Sequence, residues 1–332
     1  MSIDTIQDIR RPIQIEFRQY EQAFADTLTS DNQLLSEVLE YVHFKRGKQL
    51  RPILVLLSAA ACKGITAKSI QTAVAMELMH TASLIHDDVV DDSPLRRGNE
   101  AVHTRWTNKI AVLVGDYMLA KVIEILADLH NTHILNTVAN MGKSLASGEL
   151  LQLHSGQSMW INEDRYLKVI EQKTACLFAA CSSAGAASSG ATIRQITALR
   201  QYGMQLGICF QLKDDVLDYS DIEDLGKPTM SDICDGKATL PLIISLARAD
   251  KQEAEHIRDL AEGLASKAPH INPLEAAEDI KSFVLRYDGV RYAYRQMQQH
   301  RKRALEALSV LPDSKYKKAL IDLLDYAINR VY

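Results

Sequence analysis

His86-Asp87-Asp88-Val89-Val90-Asp91-Asp92-Ser93 places more negative charge at the end of a helix than a fold would choose, and its reading decides how the chain is organised. On a helix, positions i, i+1 and i+4 share a face, so the carboxylates of Asp87, Asp88 and Asp91 are expected to converge on one patch. Each negative charge at a helix C-terminus also opposes the macrodipole, at roughly 0.3–1 kcal/mol. Something positive should therefore compensate. Mg²⁺ suits the role, because it is a hard ion that takes one or two carboxylates and completes its shell with water and substrate phosphates. Arg96-Arg97-Gly98 follows at once, two guanidinium forks shaped for bidentate phosphate recognition.

A single D-D-x-x-D reads as well as a solvated acidic helix end. The repeat changes that balance. Phe210-Gln211-Leu212-Lys213-Asp214-Asp215-Val216-Leu217-Asp218 is a second copy, again on an apolar helical background. It too is followed by a basic loop, with Gly226-Lys227-Pro228 and Asp235-Gly236-Lys237. Two such clusters facing each other would hold a metal–phosphate assembly between them.

Working outward, Thr66 to Asp92 reads as one long helix, whose Asp87 face also carries Ser83, His80 and Met76 at successive turns. Upstream, Ile6, Ile9, Ile13, Phe17, Tyr20, Phe24 and Leu28 recur at helical spacing, with Pro12 the one awkward position. A second helix starts after Ser30-Asp31-Asn32 and runs through Leu35, Val38, Leu39 and Val42. Arg46-Gly47-Lys48-Gln49-Leu50-Arg51-Pro52 then breaks and restarts the chain, with Pro52 in the next first turn. Downstream, helices are expected at about 109–130, 131–154, 162–187 and 192–220, and the small residues from Ala179 to Gly190 permit close helix approach. After residues 221–237 the chain is again helical, punctuated by Pro269, Pro273 and Pro312. Strand-like alternation is absent, and no linker divides the chain. The expected fold is all-α, a single large helical domain spanning residues 1–332 with a central cavity, apolar below and charged at its mouth.

Composition narrows the function. The 332 residues are 47% hydrophobic, ample for a sizeable core, and the formal net charge of −4 argues against a nucleic-acid binder. Five cysteines without a C-x-x-C suggest reduced thiols in a cytoplasmic protein. No signal peptide and no membrane-spanning run is evident.

From about Phe44 to Pro241 these motifs resemble the trans-isoprenyl diphosphate synthases, and the chain resembles the long-chain, octaprenyl-type polyprenyl diphosphate synthases among them. The two aspartate-rich motifs are those at Asp87 and Asp214, the Gly-Gly-Lys-x-Leu-Arg-Pro pattern appears at residues 46–52 with Arg46 in place of the first glycine, and the Lys-Thr pair is Lys173-Thr174. The resemblance implies a helical bundle of the isoprenoid synthase type, usually homodimeric, with Lys48, Arg51, His80 and Arg97 binding isopentenyl diphosphate. It makes Asp87, Asp91 and Asp214 the contacts for Mg²⁺, three ions per site with Mn²⁺ able to substitute. Arg96, Lys173, Thr174, Gln211, Lys227 and Lys237 then assist with the allylic diphosphate primer, and Asp88, Asp215, Asp218 and Lys173 join the catalytic set. The implied reaction ionises the primer and adds the five carbons of isopentenyl diphosphate in successive head-to-tail steps.

Product length follows from what lines the path beside the Asp87 helix. Short-chain members of the family tend to carry an aromatic just behind the first aspartate; here Ala82 and Ser83 leave the path open. The next floor would be Leu119, Val122 and Ile123, which points to an all-trans product of about C30–C50, best placed at C40. Such a product suits a quinone side chain and implies transient membrane contact at release. The rival readings are a short-chain farnesyl or geranylgeranyl synthase, a cyclase of the same fold, a non-catalytic subunit of a heteromeric synthase, and a di-iron bundle built on Glu40-x-x-His43 and Glu77-x-x-His80. The last leaves both aspartate motifs and every basic motif unexplained.

Overall fold

Pro12 divides what the spacing presents as a single first helix. Its ring cannot sit in an α-helical interior without losing a hydrogen bond, and the chain answers with α1 (Ile6–Arg10), a 3₁₀ turn over Arg11–Ile13 and then α2 (Gln14–Thr27). The apolar stripe survives the change, since Ile9, Ile13, Phe17, Tyr20, Phe24 and Leu28 are all buried. The structure, a computed structural model, describes residues 6–44, 47–96, 98–155, 160–219 and 230–330, with the backbone alone at 153–155 and 231.

The described residues gather into two compact units. The first takes in Met1–Met141, Leu177–Gly203 and Ala307–Leu323. Asn32 caps α3 (Gln33–Phe44), its side chain accepting from the Leu35 N–H at 3.1 Å. α4 (Leu50–Cys62) is apolar nearly all round, and Leu50 and Ile53 to Leu57 are buried. A helix of that kind belongs at a centre, where each fully buried Leu, Ile or Val contributes roughly 1.5–3 kcal/mol.

α5 (Ala67–Val90) is the long helix the spacing calls for. Thr66 starts it with a reciprocal cap, its side chain accepting from the Ser69 N–H while the Ser69 hydroxyl accepts from the Thr66 N–H. α5 packs along α7 (Asn108–Asp128), against α4 and against α2. Between α5 and α7 lie a two-stranded hairpin, β1 (Leu95–Arg96) paired antiparallel with β2 (Asn99–Glu100), and the short α6 (Val102–Arg105). The alternation of side chains is too short here to show in the sequence. The small-residue run becomes α10 (Cys176–Ser188), every residue of which from Leu177 on is buried. A Cβ on Gly185 would stand 2.3 Å from the Val55 carbonyl oxygen, so α10 lies on the α4 backbone at a distance only glycine allows.

The second unit takes in Gly142–Cys176, Met204–Glu306 and Leu324–Tyr332. Beyond α8 (Thr132–Ser155), Asn162 caps α9 (Glu163–Ile170), which passes into a π-helical turn over Glu171–Ala175 before α10 begins. α11 (Ile193–Leu217) carries the second aspartate motif at its end. There follow α12 (Ser231–Cys234), the largely apolar α13 (Leu240–Arg248), α14 (Lys251–Ala265), α15 (Pro273–Arg286, with Pro273 just inside the Asn272 cap), α16 (Gly289–Leu308) and α17 (Lys315–Asn329). Apart from the hairpin, the described elements are helical, as the periodicity requires. No described helix is long and apolar enough to cross a membrane.

Candidate active site

The first aspartate motif sits at the C-terminal end of α5, where Asp91 is the capping residue and its N–H bonds the Asp87 carbonyl at 2.8 Å. Asp87 is half-buried and Asp91 exposed, one turn apart on one face. Asp88 departs from the expected three-carboxylate patch: it is 4% exposed, and its Oδ1 accepts from Arg96 Nε at 2.7 Å and from Nη2 as well. One residue is a rotation of about 100° on a helix, which carries Asp88 round to the hairpin. The patch is thus Asp87 with Asp91, and Arg96 is committed to the helix that bears them.

Among the described residues no three His, Cys, Asp or Glu side chains converge as a ready-made metal centre. Two carboxylates a turn apart at an exposed helix end still fit Mg²⁺, which takes the rest of its ligands from water and phosphate. His80, two turns behind Asp87, is 7% exposed and shares a solvent-open pocket with Tyr41, Glu77, Asp88, Arg96 and Val102. Sequence spacing relates His80 only to its own helix; the pocket brings it beside the Asp88–Arg96 pair.

At the start of α4, Gln49 adopts a left-handed conformation (φ 53°), and this reversal leaves Lys48 exposed just ahead of the helix. Arg51, half-buried, lies over the Phe178 ring with 5.4 Å from guanidinium carbon to ring centroid. Arg46, Arg97 and Lys227, named from the motifs, lie outside the described residues.

The Lys173-Thr174 pair occupies the π-helical turn. Inserting one residue into a helix in this way redirects the side chains that follow and is common at functional sites. Gly148 on α8 lets that turn come close, since a Cβ there would stand 3.0 Å from the Lys173 amide nitrogen. Lys173 Nζ bonds Glu149 at 2.6 Å and Gln152 at 3.1 Å, and Thr174 Oγ1 donates to Gln211 Oε1 at 2.9 Å. Gln211 Nε2 in turn donates to Asp215 Oδ1 at 2.9 Å. Thr174 is therefore hydrogen-bonded through Gln211 to the second aspartate motif, while Lys173 beside it is held by Glu149 and Gln152.

Within that motif the three aspartates have separate surroundings. Asp214 pairs with Arg330 at 2.7 Å. Asp215, 2% exposed, also accepts from the Tyr166 hydroxyl; burial pushes its carboxyl up to about 8, Asp232 adds to the rise, and the hydrogen bonds from Tyr166 and Gln211 oppose it. Tyr166 is itself held well above its usual range by burial and then by Asp215. Asp218 accepts from the Asp232 N–H at 3.2 Å. Lys237, at the turn that closes this loop, is partly exposed with Nζ 3.4 Å from Asp235.

The residues expected to line the product path separate. Ala82 is completely buried, and Ser83 is half-buried with its hydroxyl on the His80 carbonyl at 2.9 Å. On α7, Val122 is buried, Leu119 half-buried and Ile123 67% exposed. Adjacent helix positions point about 100° apart, so Ile123 faces outward rather than beside Val122.

Three residues of the site had no motif to announce them: Tyr166, Glu149 and Arg330. Tyr166 stands seven residues before Lys173, two turns along the same helix, a spacing that would have flagged it. Glu149 and Arg330 reach their partners across long sequence separations and leave no local trace.

Residues 32–275 match the family described as Polyprenyl synthetase. Over 333 aligned residues the chain is 35% identical to an octaprenyl diphosphate synthase of Haemophilus influenzae, covering 100% of this chain and 98% of that one. It is similar in structure to a decaprenyl diphosphate synthase from Rhodobacter capsulatus, with TM-score 0.90 and 32% identity over 99% of this chain and 100% of the other. A polyprenyl synthase from Caulobacter crescentus, crystallised with calcium and isoprenyl diphosphate, matches with TM-score 0.89 and 32% identity over 100% of both chains.

Proposed function

The chain belongs to the polyprenyl synthetase family and is a prenyltransferase making long-chain polyprenyl diphosphates, and from that premise we propose how its residues divide the work. Lys48, Arg51, His80 and Arg97 hold isopentenyl diphosphate. Arg96, Lys173, Thr174, Gln211, Lys227 and Lys237 hold the diphosphate of the allylic primer. Asp87, Asp91 and Asp214 hold Mg²⁺, which when bound supplies positive charge against the pyrophosphate. The enzyme works as a cytoplasmic homodimer, each chain a single catalytic domain, and its product is close to C40.

In this reading the basic side chains neutralise the negative charge that develops as the allylic C–O bond breaks, and fixed donors do so without reorganising at the moment of reaction. The double bond of isopentenyl diphosphate attacks the allylic carbon, and loss of a proton to the departing pyrophosphate completes the five-carbon extension. Apolar walls keep water from the cation. Asp88 acts at one remove by holding Arg96, and Asp215 by carrying Gln211 and Tyr166.

The observation that carries the proposal is the Thr174–Gln211–Asp215 chain of hydrogen bonds, because it joins the Lys-Thr pair to the helix turn that bears Asp214. The test is chromatography of products extracted from purified protein, isopentenyl diphosphate and an allylic primer. With Mg²⁺ a product near C40 should accumulate, and with excess chelator none. Turnover undiminished by chelator, or products ending at C15–C20, would overturn it.

A further inference from the structure

Arg330, one residue past the end of α17, makes three contacts with a single turn of α11. Its Nη2 lies 2.7 Å from Asp214 Oδ1 and donates to the Phe210 carbonyl at 2.8 Å, and its guanidinium carbon sits 3.7 Å from the Phe210 ring centroid. The Arg330 side chain is 8% exposed, while that of Asp214 is 43% exposed. The guanidinium is fixed in place, and the carboxylate it neutralises remains open to solvent. Lys213, the neighbouring cation, is directed elsewhere, with Nζ 3.3 Å from the Tyr294 hydroxyl. A pair built only for stability would satisfy all its donors, yet Arg330 Nε is buried without a hydrogen-bond partner among the described residues.

We propose that Arg330 is a built-in counter-ion that keeps a divalent cation off Asp214 until a diphosphate arrives with it. The inference rests on the assignment of Asp214 to the metal made above. A guanidinium is a fixed positive charge, and one already bound to the carboxylate both cancels its attraction and repels an incoming ion. Arg330 is anchored by the Phe210 carbonyl and ring. The negative charge of a diphosphate offsets that repulsion, so metal and substrate load together. Metal bound alone would otherwise pull the aspartates into an arrangement set without substrate. Arg330 acts here as a positioning residue, and it touches neither reacting atom.

The experiment is a Mn²⁺ titration of the full-length protein read by electron paramagnetic resonance, with and without inorganic pyrophosphate, on wild type, Arg330→Gln, Arg330→Lys and Asp214→Asn. Without pyrophosphate, Arg330→Gln should bind Mn²⁺ roughly ten-fold more tightly than wild type, the scale of repulsion between a guanidinium and a divalent ion about 5 Å apart in a water-like dielectric. Arg330→Lys, which keeps the charge, should stay near wild type. With pyrophosphate the difference should shrink to two-fold or less. A merely structural Arg330 would lower the melting temperature and leave the metal-only affinity unchanged or weaker, and that result overturns the inference. If Asp214→Asn leaves the titration unaltered even with pyrophosphate, the metal assignment itself fails; if Asp214→Asn removes a site while Arg330→Gln changes nothing, the counter-ion role alone fails.

Discussion

Arg96 on the hairpin donates from Nε to Asp88 Oδ1 on α5 at 2.7 Å, so the second aspartate of the first motif serves the loop and its neighbours face the solvent. Asp88→Ala and Asp91→Ala should then separate stability from chemistry. Removing the buried Asp88 carboxylate strands Arg96 and costs about 1–3 kcal/mol, a fall of several degrees in Tm. Asp91 is exposed, and Asp91→Ala should shift Tm by no more than a degree or so while lowering Mg²⁺-dependent turnover at least a hundred-fold. Calorimetry and a turnover assay check this, and equal changes in Tm would show that Asp88 does not anchor the hairpin.

Lys48 and Arg51 stand on the α4 entry, away along the chain from both aspartate motifs. Lys48→Ala and Arg51→Ala should raise KM for isopentenyl diphosphate at least ten-fold and that for the primer much less. Because Arg51 also covers the Phe178 ring, Arg51→Ala should cost some stability and Lys48→Ala little. Initial rates with each substrate varied in turn give the answer, and equal shifts for both substrates would mean the two diphosphate sites are assigned the wrong way round.

These contrasts mark what the residues themselves could tell. Helix periods, the cap at Asn32 and the close approach of the 179–190 run were legible, because each depends on residues within a few turns; Pro12 stood out only as an awkward position in what reads as one helix. The face of the aspartates was legible only for Asp87 and Asp91: Asp88, grouped with them on the helix spacing, is turned about 100° away, and only the tertiary fold supplies Arg96 as its partner. The partners of Asp214 and Lys173 were not legible at all, since Arg330 and Glu149 arrive from distant segments. The π-helical turn under Lys173-Thr174 was hidden as well, because one inserted residue hardly disturbs an apolar pattern. Rotation also decides Ile123, whose size suits a floor and whose direction does not.

His300 on α16 gives the metal-free fold a pH dependence of definite sign. It is 7% exposed with Nδ1 on Gln205 Oε1 at 2.7 Å, and burial, with Arg303 adding, lowers it to about 4. Its folded value lies below its unfolded one, so the unfolded chain binds the extra proton between the two. The stability His300 contributes is present above about pH 6.5 and is lost as pH falls toward 4, up to about 3 kcal/mol in all. Urea midpoints should fall between pH 6.5 and 5 for wild type and fall less for His300→Gln; parallel curves for the two proteins would remove His300 as the cause.

The proposed product path can be probed from α5 and from α7. Ala82 and Ser83 lie behind Asp87 on α5, the first completely buried and the second half-buried, and Val122 is buried on α7, which packs along α5. A tyrosine at either α5 position fills space behind Asp87 and leaves both carboxylates of the proposed metal patch in the sequence. Ala82→Tyr and Ser83→Tyr should shorten the product from the proposed length of about C40 to C15–C20 while the first condensation proceeds at a comparable rate. Overpacking costs typically 1–3 kcal/mol, so Ala82→Tyr should melt lower than Ser83→Tyr, whose site has more room. Val122→Tyr, farther from the aspartates, should stop growth later and give an intermediate length. Ile123→Tyr supplies the contrast, because that side chain is 67% exposed and its replacement should leave the length distribution unchanged. Product chromatography on the four variants decides the matter: unchanged length in both α5 variants would move the path off this helix face, and truncation by Ile123→Tyr would place the floor on the outer side of α7.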